Sequence, residues 1–368
     1  MRLLWVELRD FRNHELTRLE DVPEGLLVIV GPNGEGKTNL LEGMSYLFTL
    51  SSPRVSSNQP LVRGGAEAGY ARGEVETAVG RVLVEVEIPG NGRASKVRVN
   101  RSPVRRKRDL RRSVRAVFFG PDDLDVVRGD PSQRRRFMDE ALGALWPVRE
   151  AAVSGYERVL RQRNRLLKEW EGRGVPAAMK AWDEELVEAG SALMRARSEA
   201  VASISPPAQR GFEWLAGYGL ACVYRPSVWA GGKEGELEEA FRTRIEERRT
   251  DELIRRTSLV GPHRDELELA VRDLGARSFG SHGEAWAAAL CLRLGLAEAV
   301  HAEVGEPPVL LLDDPFSALD PRRQRKVAEH LTGRGQVFIS VADEALVPPN
   351  PDAVFDVSSG RVSMRGAA

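Results

Sequence analysis

A glycine-rich segment near the start of the chain combines the residue types and the spacing that bind phosphate groups. It matches the pattern G-x-x-x-x-G-K-[ST] at every fixed position, and its residues are Gly31, Pro32, Asn33, Gly34, Glu35, Gly36, Lys37 and Thr38. Glycines let backbone N–H groups converge on phosphate oxygens, and a helix that follows presents its positive end to them. We expect Lys37 to contact the β- and γ-phosphates of a nucleotide and Thr38 to hold Mg²⁺, with Asn39 in the same site.

Two adjacent carboxylates follow a short apolar segment much later in the chain. Val309–Leu312 has the continuous apolar character of a buried strand, and Asp313 and Asp314 come directly after it. A strand that ends beside the glycine loop places Asp313 to bind Mg²⁺ and Asp314 to orient or deprotonate an attacking water. An apolar strand that ends in two aspartates is common by itself. Together with the glycine loop it predicts hydrolysis of a nucleoside triphosphate.

A third segment with chemical potential lies at the predicted start of a helix, about 30 residues before the acidic strand. Its sequence is Ser281-His282-Gly283-Glu284, which is similar to the L-S-G-G-Q signature of ABC ATPases. Ser281 offers a hydroxyl, Gly283 permits close backbone approach, and a helix N-terminus favours anions. The pattern S-x-G-E alone is weak, and its position before Asp313 gives it weight. The similarity implies that Ser281 of one subunit contacts the γ-phosphate bound by another.

Apolar patterning predicts the elements that carry these residues, and it divides the chain into two kinds of structure. Residues from about 130 to 255 are dominated by helical spacing, and α/β patterns lie on both sides. We therefore predict an α/β head at 1–129 and 255–368 with a helical insertion at 130–254. The predicted elements are strands at 3–8, 26–30, 73–99, 266–271, 309–312 and 337–341, and helices at 38–50, 285–300 and 321–331.

The helical middle contains a repeated apolar spacing. Residues spaced by three and four positions form an a/d seam, and they are Trp182, Leu186, Ala189, Leu193, Ala196 and Ala200. A glycine- and proline-containing break at 172–176 separates this seam from an earlier helical stretch. We predict a helical hairpin, either as an ordinary helical lobe or as a true coiled coil. A sustained coiled coil needs at least three heptads, so a long one is not expected.

Composition limits the classes of protein that this chain can be. It has 368 residues, of which 42% are hydrophobic and 29% charged, so it can bury a sizeable core. The 54 basic and 54 acidic residues cancel, which argues against a wholly basic nucleic-acid coat. Cys222 and Cys291 lack metal-ligand spacing, and a disulfide framework is not expected. We expect a cytoplasmic protein, nucleoid-associated, without membrane contact.

One local region departs from this neutral balance. Residues 101–115 are strongly basic, with Asp109 as their one acidic residue, and the basic ones are Arg101, Arg105, Arg106, Lys107, Arg108, Arg111, Arg112 and Arg115. Such a cluster neutralises phosphates without reading sequence, so we predict DNA contact through Arg105 to Arg112, although a solvated basic loop remains the alternative. No aromatic residue interleaves the cluster, which favours double-stranded DNA over stacked single strands. Arg134, Arg135 and Arg136 form a second cluster, for which we predict a structural role.

Several further segments resemble the RecF family, and the resemblance extends along nearly the whole chain. Residues 121–139 contain the Gly-x-Pro-x-x-Arg-Arg core of that family, followed by an aromatic residue and Asp. Residues 261–267 resemble a second family segment, and residues 8–14 are similar to the first strand and turn of RecF and SMC heads. Residues 317–320 have the pattern Ser-x-Leu-Asp, and Ala318 stands where the RecF family is expected to have an acidic residue. The separation of Lys37 and Ser281 is intermediate between transporter ATPases and the long SMC proteins.

The resemblance implies an ABC-type P-loop ATPase head with mixed sheets and a helical arm, using ATP and Mg²⁺. It implies an ATP-driven head-to-tail homodimer that binds double-stranded DNA or single-strand/double-strand junctions and that releases them on hydrolysis. It further implies work with RecO and RecR to load RecA during repair of gaps and stalled forks. Arg12 and Asn13 match positions near the nucleotide in related heads. His263 and Arg264 match family positions of unassigned role, and a lone His is more often structural.

Two positions differ from transporter-type ABC proteins. Asp314 stands where those proteins usually have Glu, and Ser340-Val341-Ala342-Asp343 stands where they usually have a His. We therefore hypothesise slow hydrolysis, suited to a switch, which a steady turnover above about 10 s⁻¹ would contradict.

Three other functions remain open from the sequence. A transporter ATPase subunit is opposed by the long helical insertion and the basic cluster. An SMC-like tether would need longer arms than the seam supplies. A small-molecule P-loop kinase would not need Ser281 and would transfer phosphate to an acceptor other than water.

Overall fold

The computed structural model describes residues 1–171, 174–175, 177–229, 236–272 and 274–366. Its strands are β1 (Arg2–Phe11), β2 (His14–Leu19), β3 (Leu26–Val30), β4 (Ala68–Thr77), β5 (Gly80–Pro89), β6 (Lys96–Val99), β7 (Ser102–Val104), β8 (Ala116–Phe119), β9 (Leu220–Arg225), β10 (Glu266–Val271), β11 (Leu274–Gly275), β12 (Val309–Leu312), β13 (Val337–Val341), β14 (Ala353–Ser358) and β15 (Arg361–Met364). Its helices are α1 (Lys37–Thr49), α2 (Lys107–Ser113), α3 (Leu124–Arg128), α4 (Pro131–Leu145), α5 (Ala151–Glu169), α6 (Met179–Ala216), α7 (Glu236–Arg255), α8 (Ala276–Phe279), α9 (His282–Val304) and α10 (Pro321–Leu331).

The first sheet is antiparallel, with the order β2-β1-β4-β5-β6-β7. The apolar residues of β5 alternate along the strand, so Val82, Val84, Val86 and Ile88 are all buried on one face. A sheet with one apolar face needs a partner layer, and this face packs on α1 and on the second sheet. The first sheet therefore covers α1 and one face of the second sheet.

The second sheet has the order β15-β14-β3-β13-β12-β8, and the strands from β14 to β8 are parallel. Its central strands β3, β13 and β12 are buried throughout, as the continuous apolar sequences of parallel strands predict. In a parallel sheet the carboxyl ends of neighbouring strands meet at one edge. The glycine loop after β3 and the aspartates after β12 therefore lie at the same edge, with the end of β13 between them.

Helix α9 fills the core on the other face of this sheet. Its buried residues pack with Val28 and Ile339 of the sheet and with the second half of α6. Length and composition alone would allow α9 to cross a membrane, but 72% of its apolar window is buried here. Such burial is typical of the core helix of a soluble protein. The third sheet, β11-β10-β9, joins the same core.

Helices α5, α6 and α7 form a helical arm with its own core. The predicted seam faces inward, since Leu186, Leu193 and Ala196 of α6 pack with Tyr156 and Val159 of α5. The helical hairpin is therefore confirmed, and α5 ends after 19 residues, so the arm contains no long coiled coil in the described residues. Part of the predicted break, residues 172, 173 and 176, lies outside those residues.

The arm and the head share one long helix. The 38-residue α6 begins in the arm core, while its later residues Ala200, Ile204 and Phe212 pack in the core of the head. Helix α4 also packs in the head core, and β9 pairs with β10. The division of the chain at residues 130 and 254 remains a prediction, because packing distributes the predicted insertion over both cores.

Candidate nucleotide-binding site

The glycine loop joins β3 to α1 in a curved path that directs backbone groups inward. Gly34 and Gly36 have φ of 89° and 118°, values that residues with a Cβ rarely adopt. A Cβ at Gly36 would also lie 2.7 Å from the Asn13 amide nitrogen, so only glycine fits there. The buried Lys37 ammonium donates to the carbonyls of Gly31 (2.6 Å) and Pro32 (2.9 Å). Burial lowers the pKa of Lys37.

The predicted metal ligands are in contact. The Thr38 hydroxyl donates to Asp313 Oδ1 at 3.0 Å, and the Ser340 hydroxyl donates to the same oxygen at 2.6 Å. Hydroxyl and carboxylate oxygens suit Mg²⁺, which usually takes few protein ligands and completes its shell with water and phosphate oxygens. The described residues contain no group of three or more His, Cys, Asp or Glu that could hold a metal alone. Thr38 and Asp313 thus fit a metal shared with a nucleotide.

Asp314 adopts an unusual backbone conformation beside this pair. Its φ is 50°, in the left-handed region, and its N–H donates to Ser340 Oγ at 2.9 Å. Ser340 thus fixes both aspartates, one through its proton and one through its oxygen. Burial and the neighbouring Asp313 charge raise the pKa of Asp314. In the sequence, Ser340 was noted only within the segment that replaces the usual His, and no role was predicted for this hydroxyl. The signal for that role was a polar residue inside an otherwise apolar strand, β13.

Residues from both ends of the chain brace the glycine loop. Asn13 donates to the Glu35 carbonyl at 3.1 Å and accepts from the Asn39 amide at 2.8 Å. The buried His14 ring contacts the Gly36 carbonyl at 3.1 Å, and the Gly360 N–H donates to the Glu35 carbonyl at 3.0 Å. Asn13 therefore contacts the glycine loop directly, and its proximity to a bound nucleotide remains a prediction.

Arg12 lies next to this brace but points elsewhere. Its guanidinium pairs with both oxygens of the fully buried Glu42 on α1, at 2.8 and 2.9 Å. Arg54 also reaches Glu42, at 3.2 Å. A bidentate arginine–carboxylate pair fixes orientation as well as charge. In this structure Arg12 anchors α1, and its contact with a nucleotide remains a prediction.

The signature segment caps α9. Ser281 is exposed, its Oγ accepts from the Glu284 N–H at 3.2 Å, and its own N–H donates to Glu284 Oε2 at 2.8 Å. This reciprocal pair is a capping box. Gly283 approaches Ala318 closely, because an added Cβ would lie 3.1 Å from the Ala318 carbonyl. The helix end is therefore ordered and open to solvent.

The predicted nucleotide site divides into two surfaces. Among the hydrogen bonds and ion pairs of the described residues, none joins Ser281 or Gly283 to residues 31–38. Asp320, just beyond Ala318, caps α10 by accepting from the N–H groups of Arg322 and Arg323. One copy of the chain thus presents the glycine loop and the signature end as separate groups.

Some side chains of the basic cluster at 101–115 are exposed to solvent, and others are turned into the protein. The exposed members are Arg101, Arg105, Arg106, Lys107 and Arg112, with Arg108 half-buried. Arg111 is turned inward, where it pairs with Glu150 at 3.1 Å and donates to the Thr49 carbonyl at 3.0 Å. Arg115 is buried and donates to the Ala144 carbonyl. Only the exposed group forms a surface that a duplex can reach.

The second basic cluster ties α4 to the segment between α7 and β10, where the arm joins the head. Arg134 pairs with Glu266 through two nitrogens, and Arg135 donates to the Asp265 carbonyl at 3.0 Å. Arg197 of α6 bridges Asp139 and the fully buried Asp265. His263 lies in the same joint, and Arg264 is exposed. These contacts agree with the structural role predicted for Arg134 and for His263.

Comparisons with known proteins place this geometry in a family. Residues 2–362 match the model of the RecF/RecN/SMC N terminal domain. The DNA replication and repair protein RecF of Streptomyces avermitilis is 41% identical over 358 residues, covering 95% of each chain. The protein of the same name from Cutibacterium acnes is 39% identical over 385 residues, covering 97% of this chain and 96% of its own.

Solved structures agree with the sequence relatives. The recombination mediator protein RecF with ATP, of the RecFOR pathway, superposes with a TM-score of 0.89 at 28% identity, covering 98% of this chain and 97% of that one. The SMC head of Pyrococcus furiosus bound to part of ScpA shares the fold alone, with a TM-score of 0.56 at 15% identity and coverage of 98% and 95%. The predicted ABC-type head is confirmed, and the chain belongs to the RecF family of DNA replication and repair proteins.

Proposed function

We propose that this protein is an ATP-operated DNA clamp of recombinational repair. ATP closes two copies head to tail, the closed dimer holds duplex DNA or a single-strand/double-strand junction, and slow hydrolysis releases it. The observation that carries the proposal is the exposed, capped Ser281 end of α9, which makes no hydrogen bond or ion pair with the glycine loop of its own chain in the part that the structure describes. A second copy supplies what the first lacks.

Two half-sites with complementary charge support the head-to-tail arrangement. The glycine loop binds the phosphates through Lys37 and backbone N–H groups, and it leaves the outer side of the γ-phosphate unprotected. The Ser281 hydroxyl and the positive end of α9 suit an anion. Because each copy has both surfaces, a twofold dimer contains two equivalent nucleotide sites.

The proposed hydrolysis rests on Asp313, Asp314 and Ser340. Bound Mg²⁺ would screen phosphate charge, with Thr38 and Asp313 as its protein ligands. Asp314 accepts a proton from the attacking water, and its left-handed backbone is held by the hydrogen bond to Ser340. An aspartate is one methylene shorter than the glutamate of transporter-type ABC proteins. The shorter reach supports slow turnover.

The proposed partners come from the relatives and from surface charge. Similar proteins are named for DNA replication and repair, and a similar structure is placed in the RecFOR pathway. We infer cooperation with RecO and RecR in loading RecA. The exposed arginines at 101–112 supply a surface for the DNA backbone.

Sizing of the protein under four conditions tests the clamp: without nucleotide, with ADP, with ATP, and with ATP plus duplex DNA. We expect a dimer only with ATP, and a more stable dimer with DNA. Lys37→Met, which removes phosphate binding, and Ser281→Arg, which blocks the signature end, should both remain monomeric. Ser154→Arg adds the same side chain at an exposed serine of α5 and should behave as wild type.

Two outcomes would contradict the clamp. A monomer under all conditions would remove the composite site and leave a P-loop ATPase of another kind. A dimer that is indifferent to nucleotide and to Ser281→Arg would show that closure does not use the signature end. Transfer of phosphate to a small acceptor in place of water would instead identify a kinase.

A further inference from the structure

The carboxylate of Glu284 stands at the helix end that is proposed to receive a γ-phosphate. Its Oε2 accepts from the Ser281 N–H at 2.8 Å, while the Ser281 oxygen accepts from the Glu284 N–H at 3.2 Å. The ABC signature usually has a neutral Gln at this position. A carboxylate caps a helix well, but it also places a negative charge beside an incoming phosphate.

Two residues outside the signature hold this carboxylate. The Tyr218 hydroxyl donates to Glu284 Oε1 at 2.5 Å. The Arg272 guanidinium lies 3.8 Å from the centre of the Tyr218 ring and 3.6 Å from Glu284 Oε1. Phe212 packs edge-on against the same ring, with centroids 5.8 Å apart. The chain of contacts therefore runs from the end of α6 and the end of β10 to the start of α9.

These contacts have an electrostatic effect on the helix end. The hydrogen bond from Tyr218 lowers the pKa of Glu284 to about 2, so the group is ionised at neutral pH. The Arg272 guanidinium offsets part of its charge, and the Tyr218 hydroxyl holds Oε1 while Oε2 accepts from the Ser281 N–H. A released carboxylate would be free to occupy the N–H groups that an anion needs.

We propose that Tyr218 and Arg272 are positioning residues of the composite ATP site. They hold Glu284 in the capping box, and they leave the Ser281 hydroxyl and the next N–H groups of α9 directed to the γ-phosphate of the partner copy. This inference rests on the proposed clamp, because it assigns a role in the signature half of the shared site. It also connects that half-site to α6, the helix that runs from the head into the arm.

Tyr218→Phe keeps the ring that Arg272 and Phe212 contact and removes only the hydroxyl. Loss of a hydrogen bond to a charged group should weaken ATP-dependent dimerisation about tenfold. ATP binding to the monomer should not change, because Tyr218 makes no contact with the glycine loop in the described residues. The matched control is Tyr70→Phe, since the Tyr70 hydroxyl makes no hydrogen bond within the described part of the chain, and this variant should dimerise normally.

A rescue experiment separates charge control from simple packing. Glu284→Gln keeps a capping side chain and removes the charge, so adding Tyr218→Phe to it should weaken dimerisation less than twofold. An equal tenfold loss in both backgrounds would overturn the proposal, because Tyr218 would then act independently of the Glu284 charge.

Mixed dimers distinguish failure of the inference from failure of the clamp. A Lys37→Met chain contributes only its signature end, and a Ser281→Arg chain only its glycine loop, so together they form one complete site. Tyr218→Phe should weaken the mixed dimer when it is in the Lys37→Met chain and have no effect in the other. If the parental pair does not dimerise with ATP, the clamp fails. If the pair dimerises and Tyr218→Phe acts equally in either chain, only the inference fails.

Discussion

Asp314 is the residue that we propose to accept a proton from the attacking water. It follows Asp313, the proposed Mg²⁺ ligand, and its N–H donates to the Ser340 hydroxyl oxygen at 2.9 Å. Asp314→Asn keeps the size of the side chain and removes its ability to accept a proton. We expect hydrolysis to fall roughly 10²- to 10⁴-fold, the usual contribution of a general base, while ATP-driven dimerisation persists. Phosphate release and sizing measure the two effects.

The control for this variant is Asp21→Asn. Asp21 is exposed in the loop after β2 and has φ of 49°, a conformation that Asn also tolerates. It should hydrolyse ATP at the wild-type rate. If Asp314→Asn also hydrolyses at that rate, another group activates the water. If it no longer binds ATP, Asp314 acts in binding and not in catalysis.

Residues whose roles were predicted lie in a recognisable contiguous segment, whereas residues whose roles were not predicted act through partners from elsewhere in the chain. The loop residues Lys37 and Thr38 belong to one contiguous motif, and Asp313 ends one apolar strand, so a single segment identifies each. Ser340 and Glu42 act through partners from other elements. Ser340 donates a hydrogen bond to Asp313, and Glu42 accepts hydrogen bonds from the Arg12 guanidinium. The role of Ser340 depends on the strand order β3-β13-β12, and that of Glu42 on the packing of α1 near the end of β1, and no single segment contains either arrangement.

At the scale of elements, continuous apolar runs gave the most reliable boundaries. β3, β12 and β13 occupy the predicted ranges, because each is a continuous apolar run that is buried throughout. β10 also occupies its predicted range, although its buried residues alternate with less buried ones. The predicted α9 core, 285–300, extends to His282–Val304. The strand β14 and the edge strand β15 were not predicted, since both are only partly buried and neither contains a continuous apolar run.

His263 lies in the joint between the head and the arm, where its protonation is coupled to folding. The Ser258 carbonyl can only accept, so Nε2 carries the proton, and the Tyr156 hydroxyl donates to Nδ1 at 2.5 Å. Burial lowers the pKa of His263 to about 4. A second proton on Nδ1 would also break the hydrogen bond from Tyr156.

The lowered pKa of His263 predicts a pH-dependent stability. Between about pH 6.5 and pH 4 the unfolded chain binds a proton that the folded chain excludes, so the free energy of unfolding decreases as pH falls. The contribution of His263 to the free energy of unfolding is fully present above pH 6.5. It amounts to about 3 kcal/mol, at 1.36 kcal/mol per pKa unit. His263→Gln should therefore lose less stability than wild type between pH 7 and pH 4 in urea unfolding.

His301→Gln provides the comparison for this measurement, because His301 is exposed at the end of α9. It should lose the same stability as wild type over that pH range. Equal losses for wild type and both variants would show that His263 does not control the joint. The prediction concerns the joint alone, and it does not depend on the proposed clamp.

At the scale of the whole molecule, the net charge is zero, but basic residues are concentrated in one region of the chain. The sequence identified the basic region at 101–115, but it could not separate outward from inward side chains. Arg111 and Arg115 resemble Arg105 and Arg106 in sequence, yet Arg111 of α2 is turned inward and Arg115, just before β8, is buried against the Ala144 carbonyl. The structure thus reduces the candidate DNA surface to the exposed members, which a duplex can approach without unfolding of the head.

This division predicts how DNA binding responds to salt. The variant Arg105→Ala/Arg106→Ala should weaken duplex binding with ATP, and it should reduce the slope of log affinity against log salt by about 0.9 for each phosphate that is no longer neutralised, up to about two phosphates. Arg244→Ala/Arg248→Ala removes two arginines of α7 that pair with Glu247 and Asp251, and it should leave the slope unchanged. An equal change in both variants would mean that DNA senses only the total charge. No change in either would move the DNA path away from α2, because every arginine that releases a counterion from DNA must appear in that slope.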